Sequence, residues 1–313
     1  MELIRGLHNL RARHRGCVVT IGTYDGIHRG HRHVVSHLIG HARSHGLPAV
    51  AMLFEPQPRE YFMGAQAPAR LSLLREKIDQ LAALGVDRVL CVRFDARFLG
   101  LSADEFVVDL MVGKLGAKVM VVGDDFRFAR NRTATVADLQ RFGERYGFEV
   151  DHAEVLLLEG ERVSSTRVRN ALAAGDFDLA ARLLGRPYSL SGRVIHGQRR
   201  GRTIGFPTAN LALHRRTTPI AGIFAVTVEG LERPGMPAVA YVGTRPIVAG
   251  VETLLEVHLF DYEGEIYGRR IHVDFHARIR GDMQFSDFAG LQAQIARDSQ
   301  QARRILDARV GCA

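Results

Sequence analysis

The sequence predicts an α/β domain with a doubly wound parallel sheet, followed by a small antiparallel β-barrel domain with a carboxy-terminal helix. Up to residue 184, short apolar runs of strand length alternate with amphipathic helical stretches. From residue 185, apolar residues recur at every second position between turn residues. The 313 residues suit two domains, and we predict domains at 1–184 and 185–313.

Five buried strands are predicted in the first domain, at residues 18–21, 49–54, 88–92, 118–122 and 148–155. Between them, Ser72 is predicted to cap a helix, and Ser102 with Glu105 forms a capping box for another. A short helix at 177–184 closes the domain. Five barrel strands are predicted at 188–195, 222–228, 238–242, 254–260 and 271–280, and Phe288, Leu291, Ile295 and Leu306 give the final helix an apolar face.

Charge, cysteine content and hydrophobicity indicate which ligands and which cellular location to expect. The formal net charge is +8, and arginine supplies nearly all of the positive charge. Arginine suits a bidentate grip on phosphate, so an anionic small substrate is ranked before nucleic acid. Three widely spaced cysteines without a CxxC pair indicate a reduced, cytoplasmic protein. No apolar run is long enough to span a membrane, so no membrane association is expected.

The segment at 18–34, VVTIGTYDGIHRGHRHV, is the part of the sequence with the clearest chemistry. A strand runs into Gly22 and Gly26, and His28 and His31 follow where the pattern becomes helical. Residues three apart share a helix face. At the first turn, both imidazoles lie beside free N–H groups and the positive end of the helix dipole, which favours anions. A strand–turn–helix connection with surface histidines is the simpler alternative.

Two further groups of polar residues are candidate site residues. Asp124 and Asp125 directly follow the fourth predicted strand, at the strand ends where a doubly wound sheet binds ligands. Ser164, Ser165 and Thr166 precede a helix that carries Arg169. Hydroxyl groups at that position cap helices in most proteins, but together with arginine they are also suited to a triphosphate.

The second domain carries a glycine-rich, basic stretch at 197–205, followed by FPTAN. A mobile β-turn and a phosphate cradle are both compatible with it. Thr208 and Asn210 offer oxygen atoms of the kind that Mg²⁺ accepts. On the strand at 254–260, Glu256 lies on the face opposite Leu255 and Val257. Its carboxylate is either solvated or a general base over a cleft.

These motifs resemble, in order and nearly end to end, those of the bacterial bifunctional riboflavin kinase/FAD synthetases. The segments that carry the resemblance are GTYDGIHRGH, FEPQPREYF, GDDFRF, SSTRVR, GRTIGFPTANL, GTRP and LEVHLFD. The resemblance implies a Rossmann-like nucleotidyltransferase domain and a riboflavin kinase barrel. It implies phosphorylation of riboflavin to FMN by ATP, then adenylylation of FMN to FAD with release of pyrophosphate, and a requirement for Mg²⁺.

The resemblance also implies site residues. Adenylylation would use ATP-binding groups at Gly22, Tyr24, Asp25, Gly26, His28, His31, Ser164, Ser165, Thr166 and Arg169. The flavin of FMN would contact Phe54, Pro56, Pro58, Asp124, Asp125, Phe126 and Phe128. The kinase would hold phosphates at Gly197, Gly201, Arg202, Gly205, Pro207, Thr208 and Asn210, with Mg²⁺ on Thr208 and Asn210 and Glu256 as the base. His28, His31 and Glu256 are the predicted catalytic residues.

Several positions depart from the residue that is common in this family. They are Thr23 for Asn, Ala129 and Ala134 for Gly, Tyr241 for Asn, Ile247 for Thr and Asp282 for Glu. If either alanine has a positive φ, its methyl group would interfere. One alternative is therefore a riboflavin kinase with a weakened adenylyltransferase domain. An arginine-rich RNA-binding protein ranks lower, because the arginines are scattered and tryptophan is absent. A weak homo-oligomer is left open.

Overall fold

The computed structural model describes residues 1–196, 205–215, 217–247 and 250–310. The chain packs as two compact units. The first contains Met1–Pro68 and Ser72–Ser164, and the second contains Ala69–Leu71 and Ser165–Ala313. The predicted boundary at 184/185 lies later in the chain than the structural division at 164/165. The structure groups the two short helices between these points with the barrel. It remains a prediction about which segment carries each activity.

A six-stranded parallel sheet organises the first unit, in the order β1-β4-β3-β2-β5-β6. The strands are β1 (Glu2–Arg5), β2 (Cys17–Ile21), β3 (Ala49–Glu55), β4 (Arg88–Arg93), β5 (Ala117–Gly123) and β6 (Glu149–Ala153). The sequence prediction missed β1, because four residues with one fully buried side chain give too short a pattern. A small hairpin, β7 (Leu157–Leu158) and β8 (Glu161–Arg162), follows.

Helices cover both faces of this sheet, which confirms the predicted doubly wound class. They are α1 (Arg29–His45), α2 (Pro58–Met63), α3 (Leu74–Ala83), α4 (Ala96–Leu99), a π-type helix (Glu105–Leu115) and α5 (Val136–Tyr146). Successive strand residues enter different cores: Val18 packs with Leu38 and Leu81, whereas Val19 packs with Phe106 and Leu110. This alternation is why the strands read as continuous apolar runs.

The two predicted helix starts have different outcomes. Ser102 and Glu105 form the predicted reciprocal hydrogen bonds, with Glu105 N donating to Ser102 Oγ and Ser102 N donating to Glu105 Oε2. The prediction for Ser72 is wrong. Helix α3 is preceded by Leu73, whose N–H donates to Glu76 Oε2, and the backbone N–H of Ser72 donates elsewhere.

After the tripeptide Ala69–Leu71, the second unit consists of α6 (Ser165–Ala174), α7 (Phe177–Leu184) and a closed antiparallel barrel, in the order β10-β13-β12-β11-β14-β9, with a final helix. Its strands are β9 (Tyr188–Ile195), β10 (Ala209–Ala212), β11 (Gly222–Glu229), β12 (Met236–Ile247), β13 (Gly250–Leu259) and β14 (Arg270–Arg280). The sequence prediction missed β10, which is short and begins two residues after Pro207.

Helices pack on the outside of the barrel. The Phe177 ring of α7 lies 5.5 Å from the Phe224 ring of β11, centroid to centroid. Helix α8 (Phe288–Val310) buries Ala302 and Leu306 against the barrel residues Ala225 and Phe260. Within the described ranges, no helix combines the length and the apolar character that crossing a bilayer requires.

Candidate active sites

The loop at 22–28 joins β2 to α1 at the carboxyl edge of the first unit's sheet. Gly26 has φ +86°, a conformation that costs other residues free energy. Gly22 is needed for space, since a Cβ there would lie 2.9 Å from Cε2 of the Tyr24 ring. The glycines therefore allow a tight turn that ends at the first helical turn.

His28 and His31 form one packed pair at the start of α1. His28 is the N-cap, and its Nδ1 accepts a hydrogen bond of 3.2 Å from the backbone N of His31. The two rings stack with centroids 3.7 Å apart. A Cβ on Gly30 would come within 3.2 Å of both the His28 ring and the Val163 carbonyl oxygen. Position 30 is therefore occupied by glycine, because the His28 ring and the Val163 carbonyl leave no room for a side chain.

The environment of His31 sets its protonation. Burial, together with the nearby positive groups of His28, Lys77 and Arg162, holds the pKa of His31 well below its usual range. Its Nδ1 is buried and has no hydrogen-bond partner among the described groups, although the residue as a whole is partly exposed. The imidazole is therefore neutral near pH 7, and it offers one N–H to an anion.

Buried polar groups brace the loop from below. Asp25 Oδ1 accepts hydrogen bonds from Ser72 N at 3.0 Å and from Gln57 Nε2 at 3.4 Å. The buried Lys77 donates from Nζ to the Thr23 carbonyl oxygen at 2.7 Å. Because Thr23 contributes its backbone to this contact, the departure from Asn does not remove it. Sequence reasoning missed both Gln57 and Lys77. Gln57 lies between two prolines, and Lys77 is one of several charged residues in α3, so neither stood out.

Tyr24, predicted to contact ATP, lies inside the protein. Its side chain is buried, and its hydroxyl shares a hydrogen bond of 2.7 Å with Thr20 Oγ1. Its ring centroid lies 5.0 Å from that of His31. Burial raises the pKa of the Tyr24 phenol, so the phenol stays neutral. In this structure Tyr24 supports the His31 ring from behind.

The predicted hydroxyl–arginine group divides between the units. Ser164 ends the first unit, and Ser165, Thr166 and Arg169 form the start of α6 in the second. Arg169 Nε donates to the Ala69 carbonyl oxygen at 2.7 Å, within the second unit.

The residues predicted to contact the flavin lie at the carboxyl ends of β3 and β5. Phe54 is the penultimate residue of β3 and lies among the Phe94 and Phe98 rings, Pro56 follows the strand, and Pro58 begins α2. After β5, the carboxylates pair with basic groups, Asp124 with His152 and Asp125 with Arg162.

Aromatic rings continue this edge. Phe126 stacks on Phe128 with centroids 5.7 Å apart. Tyr61 and Phe62 of α2 are large exposed aromatic residues that the sequence prediction did not select.

Ala129 has the strained backbone that the sequence raised as a concern. Its φ is +66° and its ψ is 175°, a region that is almost restricted to glycine. Ala134 is not among the residues with positive φ, and it pairs with Phe128 in an isolated β-bridge. The concern therefore holds for one of the two alanines.

Three polar residues form a row across the second unit's barrel. Glu256 of β13 lies opposite Asn210 of β10 on one side and opposite Tyr241 of β12 on the other. Opposite residues in antiparallel strands project from the same face, with Cβ atoms about 5 Å apart. Leu255 and Val257 are buried on the other face, as predicted.

A cavity of about 700 Å³ lies over two members of this row, Glu256 and Tyr241. The barrel side includes Thr208, Tyr241, Glu256 and His258. The far side is apolar and comes from α8 and the segment before it, with Phe285, Phe288, Leu291 and Ile295. An apolar wall facing a few polar groups is typical of a site for an aromatic ligand with a polar tail.

The predicted phosphate segment is described only in part. Gly197, Gly201 and Arg202 lie outside the described residues. Gly205 has φ +82°, and the Pro207 carbonyl oxygen accepts a hydrogen bond of 2.8 Å from His258 Nδ1. This bond fixes the chain just before Thr208 to the strand that carries Glu256.

Comparison with known proteins identifies the family. The model of the FAD synthetase family matches residues 10–167, and that of the riboflavin kinase family matches residues 184–306. A bifunctional riboflavin kinase/FMN adenylyltransferase from Escherichia coli K12 is 51% identical over 304 residues, which cover 97% of each chain. The chain belongs to this family.

Two further relatives cover almost the same length. The bifunctional riboflavin kinase/FMN adenylyltransferase of Pseudomonas fluorescens is 48% identical over 97% of this chain and 98% of that one. A crystal structure described as a macrolide-efflux protein from Streptococcus pneumoniae has a TM-score of 0.82 and 31% identity, covering 97% of this chain and 99% of that chain. That description differs from the family given by both halves of the sequence.

The barrel of this riboflavin kinase/FMN adenylyltransferase family member carries oxygen donors of the kind that Mg²⁺ accepts. Among the described residues, no group of three His, Cys, Asp or Glu side chains is placed to hold a metal ion. Thr208 and Asn210 offer neutral oxygens near the Glu256 carboxylate. Mg²⁺ in phosphate-transfer sites is commonly held by few protein oxygens, together with substrate phosphates and water.

Proposed function

We propose that the protein makes FAD in two steps. In the first, the second unit transfers the γ-phosphate of ATP to the terminal hydroxyl of riboflavin to give FMN. In the second, the first unit transfers AMP from ATP to FMN, and pyrophosphate leaves. The observation that carries this proposal is that the two family segments each contain a candidate site: the stacked His28–His31 pair at the start of α1 in the FAD synthetase segment, and the cavity lined by Glu256 in the riboflavin kinase segment.

The adenylyl transfer needs charge stabilisation more than proton transfer. The phosphate of FMN is already a nucleophile, so no enzyme nucleophile is required. We assign the N-terminus of α1 and the stacked His28–His31 pair to the ATP phosphates. A neutral His31 donates a hydrogen bond without the cost of burying a second cation beside Lys77. Ser164, Ser165, Thr166 and Arg169 are assigned to the same nucleotide, and Asp25 to bracing the loop.

The flavin of FMN is assigned to the aromatic edge after β3 and β5. Phe54, Phe126 and Phe128 give that edge its apolar character, and Asp124 and Asp125 border it. The exposed Tyr61 and Phe62 extend it. Aromatic rings stack favourably on a flat heterocycle.

In the kinase step, Glu256 accepts the proton of the terminal ribityl hydroxyl while the hydroxyl oxygen attacks the γ-phosphorus of ATP, the bond to the β,γ-bridging oxygen breaks, and ADP leaves. The segment from Gly197 to Gly205 and Pro207 binds the ATP phosphates, with Arg202 supplying positive charge. Thr208 and Asn210 would hold Mg²⁺, which supplies phosphate charge neutralisation when bound. The apolar wall of the cavity holds the flavin ring, so that its tail reaches the Asn210–Glu256–Tyr241 row.

The partners proposed are riboflavin, FMN and ATP, and we place the reactions in the cytoplasm. Cys17 and Cys91 support a reducing compartment, because both are buried and free.

The experiment is a time course with riboflavin, ATP and Mg²⁺ in which FMN and FAD are separated. We expect FMN to rise first and then to be converted to FAD. The strained Ala129 favours one alternative, a kinase with a weak adenylyltransferase. Under that alternative FMN accumulates and FAD stays near the background level. Formation of neither product would refute the proposal.

A further inference from the structure

Tyr241 flanks the proposed base but has no role in the reaction described above. It lies opposite Glu256 in the β12–β13 ladder, and Asn210 lies opposite Glu256 on the other side. Tyr241 and Asp282 both line the cavity. The base therefore lies between the proposed metal ligand and a phenol.

The Tyr241 ring is directed along its own strand. A Cβ on Gly243 would overlap the Tyr241 hydroxyl oxygen and lie 2.9 Å from ring atom Cε1. The absence of a side chain at Gly243 thus lets the ring lie over the strand wall, on the side of the cavity. The pairing of β12 with β11 and of β11 with β14 brings Tyr241, Ile223 and Arg280 into one row. Asp282 follows two residues after Arg280, ahead of the ring.

The Tyr241 hydroxyl lies within hydrogen-bonding reach of the Asp282 carboxylate, and both side chains line the cavity. Burial raises the pKa of the Tyr241 phenol, and the carboxylates of Asp282 and Glu256 raise it further. The phenol therefore remains protonated and donates. Hydrogen bonds to an ionised acceptor are about twice as strong as neutral ones.

We propose that Tyr241 and Asp282 form a substrate-positioning pair of the riboflavin kinase site, in which the Tyr241 hydroxyl fixes the Asp282 carboxylate beside Glu256 to accept hydrogen bonds from the ribityl hydroxyls. This inference rests on the proposed kinase function. A ribityl chain is a row of hydroxyl donors, and a carboxylate has lone pairs for more than one of them. Tyr241 acts through Asp282 and is a positioning residue.

The test compares Tyr241→Phe, Asp282→Asn and the double variant with the wild-type protein. Loss of one hydrogen bond to a charged group predicts a rise of about 10-fold in the KM for riboflavin, with kcat changed less than about threefold. The KM for ATP and the rate of FMN adenylylation should not change. Because the residues act as a pair, the KM of the double variant for riboflavin should be no higher than that of the more impaired single variant.

The barrel offers a matched control. Tyr262 also lies over a glycine, Gly264, and its hydroxyl donates to Glu232 at 3.0 Å, but neither Tyr262 nor Glu232 lines the cavity. Tyr262→Phe should leave the KM for riboflavin unchanged.

A binding measurement separates positioning from a general loss of structure. Fluorescence titration should show weaker riboflavin binding in Tyr241→Phe and equal binding of lumiflavin, which lacks the ribityl chain. Equal loss for both flavins, an unchanged KM, or losses that multiply in the double variant would overturn the proposal. If the wild-type protein itself formed no FMN, the kinase function would be refuted. That outcome is established without any of the variants.

Discussion

At the scale of single residues, His31 shows how packing sets chemistry. A histidine pair at a helix start is readable from sequence, but its protonation is not. The neutral state follows from burial and from the positive charge of Lys77, which lies 46 positions further along the chain. Replacing His28 or His31 with alanine should reduce FAD formation from FMN by about 10²–10³ and spare FMN formation from riboflavin.

His45→Ala is a control for that prediction, because it changes a histidine in the last turn of the same helix. Both half-reactions should be assayed separately on each purified variant. A His28/His31 double variant that synthesises FAD at the wild-type rate would contradict the assignment.

Glu256 gives a second residue-scale prediction. Glu256→Gln preserves size and hydrogen bonding but removes basicity, so riboflavin phosphorylation should fall by about 10²–10⁴. ATP binding and FMN adenylylation should change little. Single-turnover kinetics is the appropriate measurement, since it separates chemistry from product release. Near-normal single-turnover phosphorylation would show that the carboxylate is structural.

Ala129 is a case where a methyl group costs stability. Its φ of +66° with extended ψ is a glycine conformation, and such strain costs about 1–3 kcal/mol. Ala129→Gly should therefore raise the free energy of unfolding by about 1 kcal/mol, despite glycine's larger entropy when unfolded. Ala134→Gly, at a buried position without positive φ, should lower it. Denaturant unfolding of both variants decides the matter, and stabilisation by both or by neither would contradict the strain.

At the scale of elements, α1 is held to the sheet by a shared carboxylate. Asp151 Oδ2 of β6 lies 2.8 Å from His37 Nδ1 and 2.9 Å from His41 Nε2, two residues one turn apart on α1. Burial raises the pKa of Asp151, but the hydrogen bonds and charge of His37 and His41 outweigh burial and leave the pKa below its usual value.

A depressed carboxyl pKa predicts the sign of a pH effect. The unfolded chain takes up the Asp151 proton at higher pH than the folded protein does, so the stabilisation is present above the unfolded pKa of about 3.9 and lost as pH falls through the folded value. Asp151→Asn should reduce stability at pH 7 and flatten its dependence on pH between about 5 and 3. Urea unfolding at several pH values measures this, and parallel curves for the variant and the wild-type protein would refute it.

The helices and strands also show how much of the fold can be predicted from sequence. Long buried strands and the reciprocal Ser102–Glu105 capping were predictable from local pattern. Short strands such as β1 and β10 were not, because pairing with neighbours stabilises them more than their own sequence does. The same limit applies within the sites. His28, His31 and Glu256 stood out by motif, whereas Lys77 and the Tyr241–Asp282 contact depend on residues brought together only by folding.

At the scale of the whole molecule, the kinase-containing unit starts earlier than the periodicity suggested. The sequence predicts that 183–313 folds alone and phosphorylates riboflavin. In the structure, α7 buries Phe177 and Ala180, which that fragment lacks. Burial of one large apolar side chain contributes about 1.5–3 kcal/mol. We expect 165–313 to be active and more stable to urea than 183–313 by several kcal/mol. Equal stability of the two fragments would show that α6 and α7 are dispensable.

The tripeptide Ala69–Leu71 belongs to the second unit although its neighbours in sequence belong to the first. Its backbone carbonyls accept hydrogen bonds from Arg169 Nε at 2.7 Å and from Arg215 Nη1 at 2.9 Å. The chain therefore passes between the units three times. Homologous genes that recombine at a single point near residue 165 would inherit this tripeptide from one parent and its two arginines from the other. Because the acceptors are backbone carbonyl oxygens, such chimaeras should keep both contacts whichever parent supplies the tripeptide, provided that the other parent carries both arginines.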